Sequence, residues 1–132
     1  MSKLLERLSD PARSGVYRVT RPDEVLDAVR GSALALARVD LRQPAFDAFA
    51  KALQFPDWFG RNWDALEDCL TDLSWRQADG YVMLVEGDAA EGMLLDVLAS
   101  AAEFWAGQRK PFFAVFVDPA RRLELRDLFR EA

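Results

Sequence analysis

Apolar positions along the chain follow two periods, and the switches between them divide it into elements. Phe46, Phe49, Ala50 and Leu53 recur at i, i+3, i+4 and i+7, one face of a helix from about Pro44 to Leu53. Pro56 ends that pattern, because the residue before a proline is pushed out of helical backbone angles. Asn62, a good N-cap, opens a second helix that reaches about Leu73. Met93 to Ala106 predicts a third, strongly apolar helix, closed by Gly107 in the usual carboxyl-end position. An earlier helix opens at Arg21-Pro22-Asp23-Glu24, where Pro and acids suit a first turn. Short β-rich runs fill Val16 to Val19, Leu34 to Leu41, Tyr81 to Glu86 and Phe112 to Val117. Lys3 to Leu8 is a short amphipathic turn or a loose arm, interrupted by Pro11 to Gly15. Ser74 to Gly80 reads as a loop, Gly87 to Gly92 as the turn closing its strand. Asp118-Pro119 is expected to cap a final amphipathic helix, Ala120 to Arg130. Strands separated by helices pair in parallel through crossovers, so the expected fold is α/β, a small three- to four-stranded parallel sheet packed by helices.

The helix opened by Asn62 has a second face that needs explaining. At about 100° per residue, Trp63, Leu66, Leu70 and Leu73 share one side. Asp64, Glu67, Asp68 and Asp72 gather on the other, with no Lys or Arg in the stretch. Asp64 and Asp68 are one turn apart, as are Asp68 and Asp72, and each like-charge pair costs the helix about 0.2–0.5 kcal/mol. A solvated face with acids near the positive helix start covers Asp64, but that dipole effect fades after the first turn. Acids held ready for cations on a partner would cover Asp68 and Asp72 as well. Trp58 and Phe59 stand just before this helix; aromatics there belong either to the core or to the rigid centre of an interface. Gly60 is expected to take a positive φ that turns the chain into the helix.

Composition narrows the chemistry. The 132 residues fit one domain, and 51% of them are apolar. Seventeen basic against 22 acidic residues give a formal charge of −5, which disfavours nucleic-acid binding and favours a basic partner. There is no histidine, so the commonest general base and metal ligand are missing. One cysteine, Cys69, supplies neither a tetrahedral zinc site nor an internal disulfide, and agrees with a reducing compartment. Residues Met1 to Gly15 lack the apolar run of a signal peptide. The expectation is a cytoplasmic protein without cofactor or metal.

The run Phe55-Pro56-Asp57-Trp58-Phe59-Gly60-Arg61-Asn62-Trp63-Asp64-Ala65-Leu66-Glu67-Asp68-Cys69-Leu70-Thr71 closely resembles the signature of the barstar family. In general form that signature reads apolar-Pro-acid-aromatic-aromatic-Gly-x-Asn-x-Asp-Ala-Leu-x-Asp-Cys-Leu-Thr. The resemblance implies a small parallel sheet packed by helices. It places the compact part at about residues 33–118, with an N-terminal βα extension and the C-terminal helix added to one domain. It also implies an intracellular inhibitor of a basic, guanyl-specific extracellular ribonuclease or similar toxin, whose active site is plugged by the loop and acidic helix. Asp68 would be the central phosphate mimic and Asp64 would meet further donors. Trp58 stands where the family places an interface Tyr, while Gly60 and Asn62 shape the loop. Glu103, on a polar stripe with Asp96 and Ser100, would add acidic help from the following helix. Cys69 is a small core residue. The inhibitor would be monomeric when free and would bind neither nucleic acid nor membrane. Glu67 departs from the pattern where the namesake has an interface Trp, Arg61 replaces an acid, and Leu73 replaces an aromatic. These departures bear on the identity of the target.

Two rival readings follow from the residues. Asp64 and Asp68 resemble the carboxylate pair of a retaining glycosidase, but a convex solvated helix is a poor place to raise a pKa or exclude water. A barstar-fold interaction or regulatory module without nuclease inhibition would fit Glu67, Arg61 and the extended ends.

Overall fold

A computed structural model of the chain describes residues 3–87 and 91–129. In order, the elements are α1 (Lys3–Leu8), a 3-10 turn (Pro11–Arg13), β1 (Gly15–Val19), α2 (Asp23–Val29), β2 (Leu34–Asp40) and α3 (Ala45–Leu53). Then come α4 (Trp63–Asp72), a second 3-10 turn (Ser74–Arg76), β3 (Gly80–Glu86), α5 (Gly92–Gly107), β4 (Phe112–Val117) and β5 (Arg126–Asp127). The five strands form one parallel sheet in the order β2-β3-β4-β1-β5.

Both faces of the sheet are covered, which explains why its central strands are continuously apolar. On one face α3, α4 and α5 bury Phe49, Leu53, Leu66, Leu70, Leu98 and Ala101 against Met83, Val85, Ala114 and Phe116. On the other, Leu4 and Leu8 of α1 and Val25 and Val29 of α2 close over Val82, Leu84, Phe113 and Val115. β3 and β4 approach closely where β3 begins: a side chain at Gly80 would run into Pro111 and Leu34.

Two expectations about the sheet and its end are corrected. The sheet has five strands rather than three or four. The helix expected over Ala120–Arg130 is absent among its described residues, and β5 takes its place beside β1. The capping signal was genuine but closes a turn. The Asp118 carboxylate accepts hydrogen bonds from the backbone N–H of Arg122 (3.0 Å) and Leu123 (2.8 Å), and no helix follows. Pairing with the open edge of β1 wins instead. Arg18 of β1 donates to Asp127 (2.8 Å) and to the Leu123 carbonyl (2.9 Å), and the Leu128 N–H reaches the Arg18 carbonyl. Leu128 is thereby fully buried.

Helix ends also differ from expectation. Gly107 is the last residue of α5, and the left-handed turn falls on Arg109 (φ 62°). The N–H groups of Arg109 and Lys110 close on the carbonyls of Ala106 and Trp105, a Schellman arrangement shifted past the glycine. Lys110 anchors the shift, since its ammonium donates to the Ala78 carbonyl at 2.9 Å and sits over the Trp105 ring. The turn expected from Gly87 to Gly92 includes residues 88–90, which lie outside the described residues, as does Arg130 of the expected final helix.

If the C-terminal segment is part of the packed structure, Leu128→Ala lowers unfolding free energy by about 2–5 kcal/mol in urea titrations; a change near zero would show a loosely attached segment. The backbone donors Leu123 and Arg122, with Arg18 nearby, hold the Asp118 carboxyl below its ordinary pKa. Its contribution to stability is therefore present above the ordinary carboxylate range and is lost as the pH falls through the folded-state value. Asp118→Asn should be less stable than the parent near neutral pH, and the gap should close below about pH 4. A gap independent of pH would contradict the assignment.

Candidate functional site

The acidic helix is set up from its first residue. The Asn62 side chain accepts the Ala65 N–H at 2.8 Å, and its amide reaches back to the Gly60 carbonyl at 3.4 Å. One residue therefore caps α4 and ties down the loop before it. The left-handed position in this loop is Arg61 (φ 54°), not Gly60 as expected. Arg61 is held there by an ion pair with Asp47 in the first turn of α3, a contact no local pattern announces.

The inner face of α4 is as the periodicity predicts. Leu66, Cys69, Leu70 and Leu73 are fully buried, and Trp63 is half-buried against Phe46. On the outer side, Asp64, Asp68 and Asp72 are exposed and Glu67 is half-buried. Ion pairs among the described residues engage other acids: Asp10, Asp27, Asp40, Asp47, Glu86 and Asp127. None reaches Asp64, Glu67, Asp68 or Asp72. Three cations beside the ends of α4 and α5 in the chain are engaged elsewhere. Arg61 is on Asp47, Arg76 donates to the carbonyls of Ala52 and Leu36, and Lys110 to that of Ala78.

The inner face sustains this outer one energetically. Burying each leucine stabilises by about 1.5–3 kcal/mol, so one leucine outweighs both like-charge pairs, at about 0.2–0.5 kcal/mol each. The negative potential is felt inside as well. Burial, together with the charges of Asp68 and Asp72, pushes the Cys69 thiol above its ordinary pKa, which suits a core residue and not a nucleophile.

The other expected site residues lie on the loop before α4 and on α5. Trp58 is 63% exposed, whereas Phe59 is half-buried between Phe46 and Phe55. Glu103 is exposed on α5, the helix packed against α4. Trp75 was not anticipated. Its indole N–H donates to the Leu53 carbonyl at 2.9 Å and its ring meets Phe55 and Trp58 edge-on. It follows the signature in a stretch read only as loop, so its role is visible only in three dimensions. Among the described residues, no cluster of three or more His, Cys, Asp or Glu is arranged to hold a metal ion, and no helix is long and apolar enough to cross a membrane.

The parallel α/β sheet thus carries α4, with Asp64, Asp68 and Asp72 exposed, directly after an aromatic loop. The family model for barstar, described as the barnase inhibitor, matches residues 32–117, and the chain belongs to that family. Its members are inhibitors, not enzymes, and membership points to a barnase-like ribonuclease as the partner. No curated protein and no solved structure matches the chain.

Asn62→Ala should cost about 1 kcal/mol of stability, since two loop and helix contacts depend on that side chain. Thermal or urea unfolding checks it, and an unchanged midpoint would remove Asn62 from the scaffold of the site.

Proposed function

We propose that the chain inhibits a basic, guanyl-specific ribonuclease of the barnase type, or a toxin with a similar cationic cleft, by seating its loop and acidic helix in the active site. The observation that carries this reading is the row Asp64, Asp68 and Asp72, exposed on one helix face and outside the ion pairs formed among the described residues. Carboxylates so placed take the positions of RNA phosphates and gain charge-assisted hydrogen bonds from Arg or Lys of the cleft. Asp68 is the central phosphate mimic, flanked by Asp64 and Asp72. Trp58 supplies rigid contact area, Gly60 and Asn62 shape the loop, and Glu67 and Glu103 extend the negative rim. The protein works without cofactor inside the cell that makes the nuclease, as an immunity protein or antitoxin, and is monomeric until it meets its target.

The direct test is titration of the purified chain into barnase-catalysed RNA cleavage. Stoichiometric loss of cleavage is expected, and unimpaired cleavage at low salt with the chain in excess would overturn the reading. The second reading, a regulatory module of the same fold, draws on Glu67 and Arg61 and predicts that unimpaired cleavage.

Within the complex, Asp68→Ala should weaken binding by about 3 kcal/mol or more, the cost of stranding a buried cation. Glu67→Ala, at a rim position, should cost less than about 1 kcal/mol. Equal losses in a binding titration would contradict the central place of Asp68. Association should also slow steeply as salt is added, because screening removes steering between separated charges. A flat response in stopped-flow measurements would point to a mainly apolar interface.

A further inference from the structure

We infer that Trp75, which lies outside the Phe55–Thr71 signature, is a positioning residue that fixes the exposed ring of Trp58 for partner contact. This rests on the reading of the loop and acidic helix as the recognition face. Leu73 ends α4 in the left-handed region (φ 51°), and the reversal sends the 3-10 turn Ser74–Arg76 back beside the loop. There the Trp75 indole N–H satisfies the carbonyl of Leu53, a helix-end acceptor with no partner inside α3. Its ring meets Phe55 at 6.0 Å and 86°, and Trp58 at 6.4 Å and 89°, both edge-to-face geometries that favour aromatic pairs.

The contact matters because Trp75 supplies the ring that meets Trp58 among the described residues. Trp58 is 63% exposed. The same ladder continues from Phe55 to Phe59 (4.9 Å), from Phe59 to Phe46 (6.3 Å), and from Phe46 to Trp63 (4.8 Å) at the first residue of α4. Trp58 is thus tied to the helix that carries the carboxylates. A ring already fixed in the free protein loses less rotamer freedom on binding. Trp58 is the exposed large ring of this loop among the described residues. Met93 and Phe104, the other exposed large apolar side chains, lie on α5.

The test combines Trp75→Leu and Trp75→Phe with fluorotryptophan labelling and barnase binding, and urea unfolding confirms that each variant folds. In the free protein, Trp75→Leu should move the Trp58 fluorine resonance toward its solvent-exposed position, and Trp75→Phe should largely restore it. In binding, Trp75→Leu should raise Kd about tenfold, chiefly through faster dissociation, with the Phe variant recovering most of the loss. In a Trp58→Ala background the same substitution should change Kd less than about twofold. An unmoved Trp58 resonance, or an equal loss of affinity without Trp58, would overturn the inference. Should the parent chain fail to bind barnase, the proposed function falls, and the Trp58 resonance alone then decides whether Trp75 positions it.

Discussion

Repulsion among carboxylates on α4 is the constraint around which this part of the molecule is arranged. Asp64, Asp68 and Asp72 sit one turn apart on an exposed face, and the described residues form no ion pair with them. A helix with such an outer face persists in water only if its inner face is firmly held. Leu66, Cys69, Leu70 and Leu73, all fully buried, provide that hold. Tertiary anchors add to it, among them the Trp105 indole N–H donating to the Leu70 carbonyl at 2.7 Å.

Arg61, Arg76 and Lys110 are each engaged by specific contacts within the fold. Asp47 retains Arg61, and backbone carbonyls retain Arg76 and Lys110. Asp64, Asp68 and Asp72 are exposed and take part in none of the ion pairs among the described residues. Elements outside the matched residues 32–117 serve a different need. α1 and α2 cover the second face of the sheet, and β1 and β5 extend it beyond β4. The acidic helix lies on the opposite face of the sheet from α1 and α2.

Legibility in the sequence followed the range of the forces involved. The four longer strands, the helices with an apolar stripe and the two faces of α4 were readable because side-chain periodicity is local. The Asn62 cap was readable for the same reason. Ala120–Arg130 misled because its helical spacing and Asp118 cap competed with a distant demand, the unpaired edge of β1 and the Arg18 side chain that fastens the returning segment. Left-handed backbone at Arg61 and Arg109 rather than at Gly60 and Gly107 has a similar origin. Asp47 holds the first residue, and Lys110, bound to Ala78 and Trp105, fixes the second turn. The acidic face was legible as a pattern, whereas the pairing of Arg61 with Asp47 and the anchoring of Arg76 and Lys110 on backbone carbonyls were not. Trp75 shows the same limit, since its partners Leu53, Phe55 and Trp58 converge only through the reversal at Leu73.

The central claim, that an outside cationic surface meets the outer face of α4, is tested most directly by mapping the bound face. Backbone NMR spectra of the labelled chain, recorded as barnase is added, report every residue at once. The account predicts shifts and slowed amide exchange concentrated in the loop from Trp58 to Asn62 and along Asp64, Asp68 and Asp72, with α1 and α2 unaffected. Perturbation centred on α1, α2 or the β2 edge, with the α4 resonances unmoved, would contradict it.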